Sequence, residues 1–592
     1  MAFYLRLMGA KIGKDCFIGT QHIKTFDLFK AGDEANIGHD AQLLGYIVED
    51  GYLILGAIEV GSRCYIGTHS VMSNNTKMEA GAMLLEQSMI SPQVVIPSGE
   101  TWAGSPAAKT QPDDDILKLQ QNPYKSSKSR RAFFGVAYFF AMYIFELAPI
   151  IAMLPVSMLM YFLYYDYNHW SFLFAPFAAI AFIVILCLEM WILKKLLLGK
   201  IKPGIYSIYS SFYLRKWIVD QMMYMSLTVL HTLYATLLTP VFLKIMGVKI
   251  GKRVEVSTLT HISPDLLEIG DESFFADASM AGTPKIYMEK TQIAKSKIGK
   301  RTFIGNSALL PINRNVGDNC LIGVLSITPQ KKETESGTSW LGSPAIFLPK
   351  RDINTDFPVS ETYSPSRKLY LKRFSIEFIR IILPITLYFI IFIFDLIILG
   401  YMDLYLYFSE MVLLFPLLLA VTLIGSTLLV ALIKKIVIGK YVPLVRPLWS
   451  TFVWRTELVT GVYEAVAVTS LLGLLQGTPF LVWFLRLFGC KIGKRVFIDS
   501  TFLSEFDLVN IGDDVAINFH TTMQSHLFED RVMKMSYINV GDNCSVGCGS
   551  IVLYDTELKE GAKMGNLSLL MKGETLPAWS SWEGNPVQRT EK

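Results

Sequence analysis

The sequence predicts a mixed membrane protein in which three parallel β-helix modules alternate with transmembrane α-helical hairpins. Three observations carry this. Of 592 residues, 52% are apolar and only 18% charged, too greasy for an ordinary soluble domain. Two long apolar blocks, residues 132–193 and 374–433, each split into two spans at a short polar break. Around them, a soluble segment written in six-residue units occurs three times.

The modules come first. FYLRLMGAKIGK, VFLKIMGVKIGK and FLRLFGCKIGK open three segments, and the same 95-residue step separates Gly9 from Gly104, Gly247 from Gly342 and Gly489 from Gly584. The copies therefore align with little or no gapping. Hexads such as VGSRCYIGTHSVM from Val60 and VGDNCSVGCGSIV from Val540 place one aliphatic residue per unit inward, with glycine or small residues at the corners. That period matches one face of a triangular parallel β-helix. Each module closes on Trp-x-Gly-[Ser/Asn]-Pro, at Trp102, Trp340 and Trp582, where proline stops the strand ladder. The expected boundaries are 1–112, 247–350 and 489–592.

The hairpins span 130–200 and 370–440. Lysines and arginines flank both outer ends of each, so the positive-inside rule sets these ends, and every large soluble segment, in the cytoplasm. The chain is expected in the cytoplasmic (inner) membrane as a multi-pass protein. Glu146, Glu377, Arg380 and Asp395 inside the spans open a transport reading; snorkelling or pairing between helices is the plainer one. A second repeat, KKLLLGKIKPGIYSIYSSFYLRKW from Lys194 and KKIVIGKYVPLVRPLWSTFVWRTE from Lys434, opens connectors at 201–246 and 441–488, whose semi-apolar parts fit interfacial or re-entrant helices. The first module has no hairpin or connector ahead of it in this sequence.

Other classes fall away. No basic block alternates with aromatics, so nucleic acid is not an expected partner. The seven cysteines are scattered without metal spacing and read as reduced, core-filling thiols, and no metal is expected.

The best chemical constellation is NFHTTMQSHLFEDRVMK in the third module, where His520, Gln524, His526, Glu529, Asp530 and Arg531 interrupt the hexads. Acyl transfer from a thioester needs a base for the attacking amine or hydroxyl and donors for the oxyanion. His526 or His520 supplies the base, Glu529 or Asp530 an orienting acid, and Gln524 and Arg531 contacts to substrate, Arg531 to a carrier's phosphate. The aligned copies hold Asp40 and Ala278 at the place of His520, and Tyr46 and Pro284 at that of His526, so only the third module offers histidine chemistry here. The plainer reading is a solvated charge cluster. His22, His39, His169, His231 and His261 show no partner pattern. Asp27, Asp265 and Asp507 recur in all three copies and read as fold-building.

Hexad modules ending in Gly-[Ser/Asn]-Pro resemble the left-handed β-helix acyltransferases, trimers whose active sites lie between neighbouring helices. Three such modules interleaved with hairpins and Gly-Lys-x-x-Pro connectors resemble the C-terminal half of the ε-poly-L-lysine synthetase group of nonribosomal-peptide-synthetase-like proteins. In that group an adenylation and a carrier domain come first, and neither is found here, which leaves a free-standing relative or a fragment of a longer protein. The resemblance implies an internal pseudo-trimer that joins an aminoacyl or acyl group from a pantetheine thioester to an amine. It implies no tightly bound cofactor; the donor is a phosphopantetheine thioester on a carrier protein, and the other partners are the amine acceptor and the lipid bilayer. An acyl-CoA-dependent O-acyltransferase is the alternative enzyme, and a non-catalytic scaffold or transporter the alternative class.

Overall fold

The computed structural model describes residues 1–121, 125–349 and 356–590. The expected ends of the second module at residue 350 and of the third at residue 592 lie outside the described residues. Each module winds three sheets of five, six and three strands, parallel except for a last pair in the six-stranded sheet. The register fixes the coil: Val71 pairs with Met89, Glu59 with Lys77 and Met83 with Thr101, a step of 18 residues on every face, or three hexads per turn. Inward aliphatics stack into a continuous column, in which Ile37, Ile66 and Leu84 are fully buried. At the end, the Gly-[Ser/Asn]-Pro turn reverses the chain, so Trp102, Trp340 and Trp582 sit on strands whose last partner is antiparallel.

Once per module the step lengthens to 29 residues, as between Lys30 and Glu59, Glu268 and Lys297, and Asn510 and Asn539. The extra residues form a hairpin. In chain order the relevant strands are β1 (Tyr46–Glu49), β2 (Tyr52–Leu55), the connector strand β3 (Gly204–Ser207), β4 (Lys285–Tyr287), β5 (Lys290–Ile293), the connector strand β6 (Leu444–Pro447), β7 (His526–Glu529) and β8 (Val532–Met535). β3 adds antiparallel to β5 and β6 to β8, so the second and third hairpins become three-stranded while the first stays at two strands.

The helices are α1 (Lys128–Tyr167), α2 (Ala175–Leu197), α3 (Ser211–Val229), α4 (Arg367–Tyr405), α5 (Phe408–Val437) and α6 (Thr451–Val462). Among the described residues, the helical segments containing α1, α2, α4 and α5 are long and apolar enough to cross a membrane. The C-terminal ends of α2 and α5 are tied to the β-helices by charge. Lys194 at the end of α2 binds Asp265 at 2.9 Å, and Lys434 at the end of α5 binds Asp507 at 2.5 Å. Gly247 and Gly489 precede these modules at φ +110° and +122°, where a side-chain carbon would lie 2.6 Å from the Asp265 and Asp507 carboxylates, so glycine is required at both. Within α4, Arg373 forks onto Glu255 at 2.9 Å and reaches Glu377 at 2.6 Å, while Arg380 meets Glu457 at 3.3 Å. These span charges dock α4 onto the second module and onto α6.

The connector helices differ from the interfacial helices expected for them. α3 and α6 bury residues along most of their length, including Lys216 and Trp454, and each lies over a cleft between two modules.

Candidate functional site between the second and third modules

The hairpins join the modules in cyclic order. β1–β2 of the first module meets the third, where Tyr46 donates to Asp499 at 2.7 Å and Asn518 bridges both polar groups of Val48. β4–β5 of the second meets the first, through the buried Lys285 amine on Glu86 and Asp113. β7–β8 of the third meets the second, where Phe528 packs on Phe274. Three module boundaries result.

His526 begins β7 and faces the cleft between the second and third modules. Its Nδ1 lies 2.8 Å from Oε2 of Glu505, a fully buried carboxylate that also accepts from the Ser525 hydroxyl at 2.8 Å. The carboxylate fixes the ring with Nδ1–H as donor and leaves Nε2 for the cleft. Burial alone would depress the His526 pKa, but Glu505, followed by Asp277 and Glu457, outweighs it and raises the pKa. Burial likewise works to raise the Glu505 carboxyl, and His526 with the serine hydroxyls brings it below the usual range.

The cavity at His526 measures ≈ 70 Å³ and is lined by both modules and by α6. Across the module boundary Asn306 donates to the Gln524 carbonyl at 3.3 Å, which leaves the Gln524 amide N–H groups as donors. A second histidine–carboxylate pair, His231 with Glu464 at 2.5 Å, faces the same space. Glu464 sits on a π-helical turn, Tyr463–Val468, that follows α6. Burial pushes Glu457 up to about 7, against the pull of Arg380 and Arg373. Asp277, ringed by Glu464 and the two histidines, is also raised, first by burial.

The other expected site residues fall elsewhere. His520 lies at the boundary with the first module, stacked on Phe519 at 3.9 Å and edge-on to His22 at 4.7 Å. Burial lowers its pKa to about 3, so the ring is neutral among these aromatic neighbours. Glu529 does not orient His526: it pairs with Lys534 at 2.8 Å and with Lys572. Asp530 occupies the hairpin turn at φ 48°. Arg531 is 1% exposed and donates to the carbonyls of Arg253 and Glu272, with its guanidinium over the Tyr363 ring at 4.8 Å. Buried in this way, it pins the hairpin to the second module and does not reach a carrier's phosphate. The carboxylate that holds the His526 ring is Glu505, at the place where the other copies carry Thr25 and Ser263.

Beside the cavity runs an apolar groove of ≈ 260 Å³, lined by Phe303, Leu321, Leu341, Leu527 and Met571, with Lys572 also on its wall. Phe528 borders both spaces.

Fold and cleft together define a membrane-associated protein of three parallel β-helix modules with a histidine–carboxylate pair at a module boundary. No family model matches the chain. Over 599 aligned positions it is 38% identical to a delta-poly-L-ornithine synthetase of Acinetobacter baumannii (strain AB307-0294), covering 99% of this chain and 45% of that protein. The chain thus spans less than half the length of this relative. Among solved structures, it is similar to a maltose O-acetyltransferase from Clostridium difficile 630 with a TM-score of 0.16 and 13% identity, over 29% of this chain and 87% of that one. A soybean serine acetyltransferase apoenzyme aligns with a TM-score of 0.15 and 15% identity, over 35% of this chain and 97% of that one.

Proposed function

We propose that the chain is a membrane-embedded acyltransferase that forms an amide bond from a pantetheine-bound aminoacyl thioester, with His526 as the general base. The observation that carries this is His526, held by buried Glu505 in a cleft that opens beside an apolar groove. In the reaction, Nε2 takes a proton from the incoming amine as its nitrogen attacks the thioester carbonyl. The C–N bond forms, the C–S bond breaks, and the pantetheine thiol leaves with a proton. The Gln524 amide faces the developing oxyanion, and the groove takes the pantetheine arm. Four carboxylates, on Asp277, Glu457, Glu464 and Glu505, stand against Arg380 and two histidines at the cavity, a balance suited to an ammonium-bearing acceptor. The relative's name brings ornithine forward as the amino acid.

The finer architecture belongs to the same proposal: left-handed β-helices about one pseudo-threefold axis, on the cytoplasmic side of the inner membrane. A closed ring of backbone bonds supports the axis, with Ser105 donating to Ser343 at 2.7 Å, Ser343 to Asn585 at 3.3 Å and Asn585 to Ser105 at 3.0 Å.

Membranes carrying the chain, supplied with radiolabelled ornithyl carrier protein or with acyl-CoA, test the donor. Consumption of the carrier thioester, lost in His526→Ala, is the expected result. Turnover of acyl-CoA onto a hydroxyl points to the O-acyltransferase, and turnover of neither to a scaffold or transporter.

A further inference from the structure

The cleft between the first and second modules is built like the one that holds His526. Its roof is α3 in place of α6, and the connector repeat places Lys216, Asp220 and Tyr224 where the other cleft has Thr456, Thr460 and Glu464. His39 stands where the other cleft has Asp277. The charges have been replaced as a set.

His261 of the second module reaches across the boundary to Asp40 of the first, Nε2 to Oδ2 at 2.6 Å. Two rings stack on it, His39 at 4.8 Å and Tyr224 at 5.8 Å. From the roof, Lys216 is paired with both oxygens of Asp220, at 2.9 and 2.6 Å. The cavity between these two pairs measures ≈ 100 Å³, the space of roughly three liquid waters. Two threonines on its wall, Thr260 and Thr291, have buried hydroxyls with no hydrogen-bond partner, and Thr291 is 0% exposed. A buried hydroxyl left unbonded on a polar wall is open to a partner from outside the fold, a water or a ligand atom.

We propose that this cleft is a second ligand site and that it takes the zwitterionic head of a free α-amino acid. A ligand of one sign would leave an unbalanced charge in a desolvated space, which costs several kcal/mol. A zwitterion keeps the balance, its carboxylate set between His261 and Lys216, its ammonium between Asp40 and Asp220, and the threonine hydroxyls satisfied. The acid-rich cleft at His526 lacks this symmetry of charge.

Binding is measured without turnover, so the outcome is independent of the acyltransfer reading. Detergent-solubilised full-length chain is dialysed to equilibrium against radiolabelled L-ornithine, with glycine, putrescine and propionate as competitors. Saturable binding that persists in His526→Gln is expected, displaced by glycine and by neither putrescine nor propionate. Asp220→Asn and Thr260→Val each weaken it ~10-fold or more. Thr260→Val removes a hydroxyl that bonds nothing in the fold, so it reports binding even where Asp220→Asn disturbs Lys216. Absence of saturable binding, displacement by putrescine, or loss in His526→Gln with full retention in Asp220→Asn and Thr260→Val overturns the proposal.

Discussion

At the scale of single residues, the proposed chemistry rests on one imidazole and the carboxylate behind it. Replacing His526 with Ala is expected to lower turnover ~10² to 10⁴-fold in protein that still folds and inserts, with a lower melting point because buried Glu505 loses its partner. The base must be neutral to accept a proton. Because Glu505 and its neighbours raise the His526 pKa above its ordinary value near 6.5, kcat/KM should fall as pH drops through a limb above that value. Glu505→Gln removes the charge that favours the imidazolium, so the limb moves to lower pH while the maximal rate falls ~10-fold or more. A pH profile of both proteins decides it; an unmoved limb means that Glu505 does not tune the base. His520→Ala, by contrast, is expected to cost stability through lost ring packing and to leave activity within ~10-fold. Glu505 was readable from the sequence, since the gapless copies set Thr25, Ser263 and Glu505 in register and only the third is acidic. His231 was not: its partner Glu464 lies 233 residues away on another connector, and only the packing of α6 against the second module's approach brings them together.

At the scale of elements, the hairpin β7–β8 was visible as an interruption of the hexads, but the roles of its charges were not. The run Glu529-Asp530-Arg531 reads as one reactive cluster because it is contiguous. A turn between two antiparallel strands sends those side chains in different directions, toward a lysine pair and into the neighbouring module. Arg531→Ala should therefore act on stability, leaving two carbonyls of the second module without their donor at a cost of about 3 kcal/mol. Arg531→Lys should not restore it, because one ammonium does not reproduce the guanidinium's fork and its stacking on Tyr363. Thermal unfolding in detergent measures both, and a wild-type melting point for Arg531→Ala would deny the pinning role. The connector helices were misjudged for a related reason. Their mixed polarity suits a water–lipid boundary, and it equally suits a helix with one side on membrane helices and the other over a charged cleft.

At the scale of the whole molecule, the three modules and four spans were legible because both signals are periodic or long: an 18-residue coil step and apolar runs of membrane length. In a background without reactive native thiols, cysteines at Asn168 and Asp403 should label from outside sealed cells, and one at Lys331 should not. Labelling at Lys331 would invert the proposed orientation. The ring at Ser105, Ser343 and Asn585 has its own test. A side-chain carbon on Gly342 would lie 2.4 Å from the Asn585 carbonyl at φ +92°, so Gly342→Val is expected to loosen the junction and raise protease sensitivity in the intervening connectors, while Gly337→Val, with nothing nearby, serves as the matched control for a strained φ.

That ring also bears on how such a protein changes over generations. When three separate copies of one gene product assemble, each substitution appears at every boundary at once, and a change useful at one is imposed on the others. Here the boundaries are joined by peptide bonds and encoded separately. One has become rich in carboxylates around His526, a second holds balanced ion pairs around His261, and the third has packed His520 against aromatic rings. Covalent continuity lets each boundary carry its own residues, and it keeps all three neighbours at fixed stoichiometry however dilute the protein becomes in its membrane.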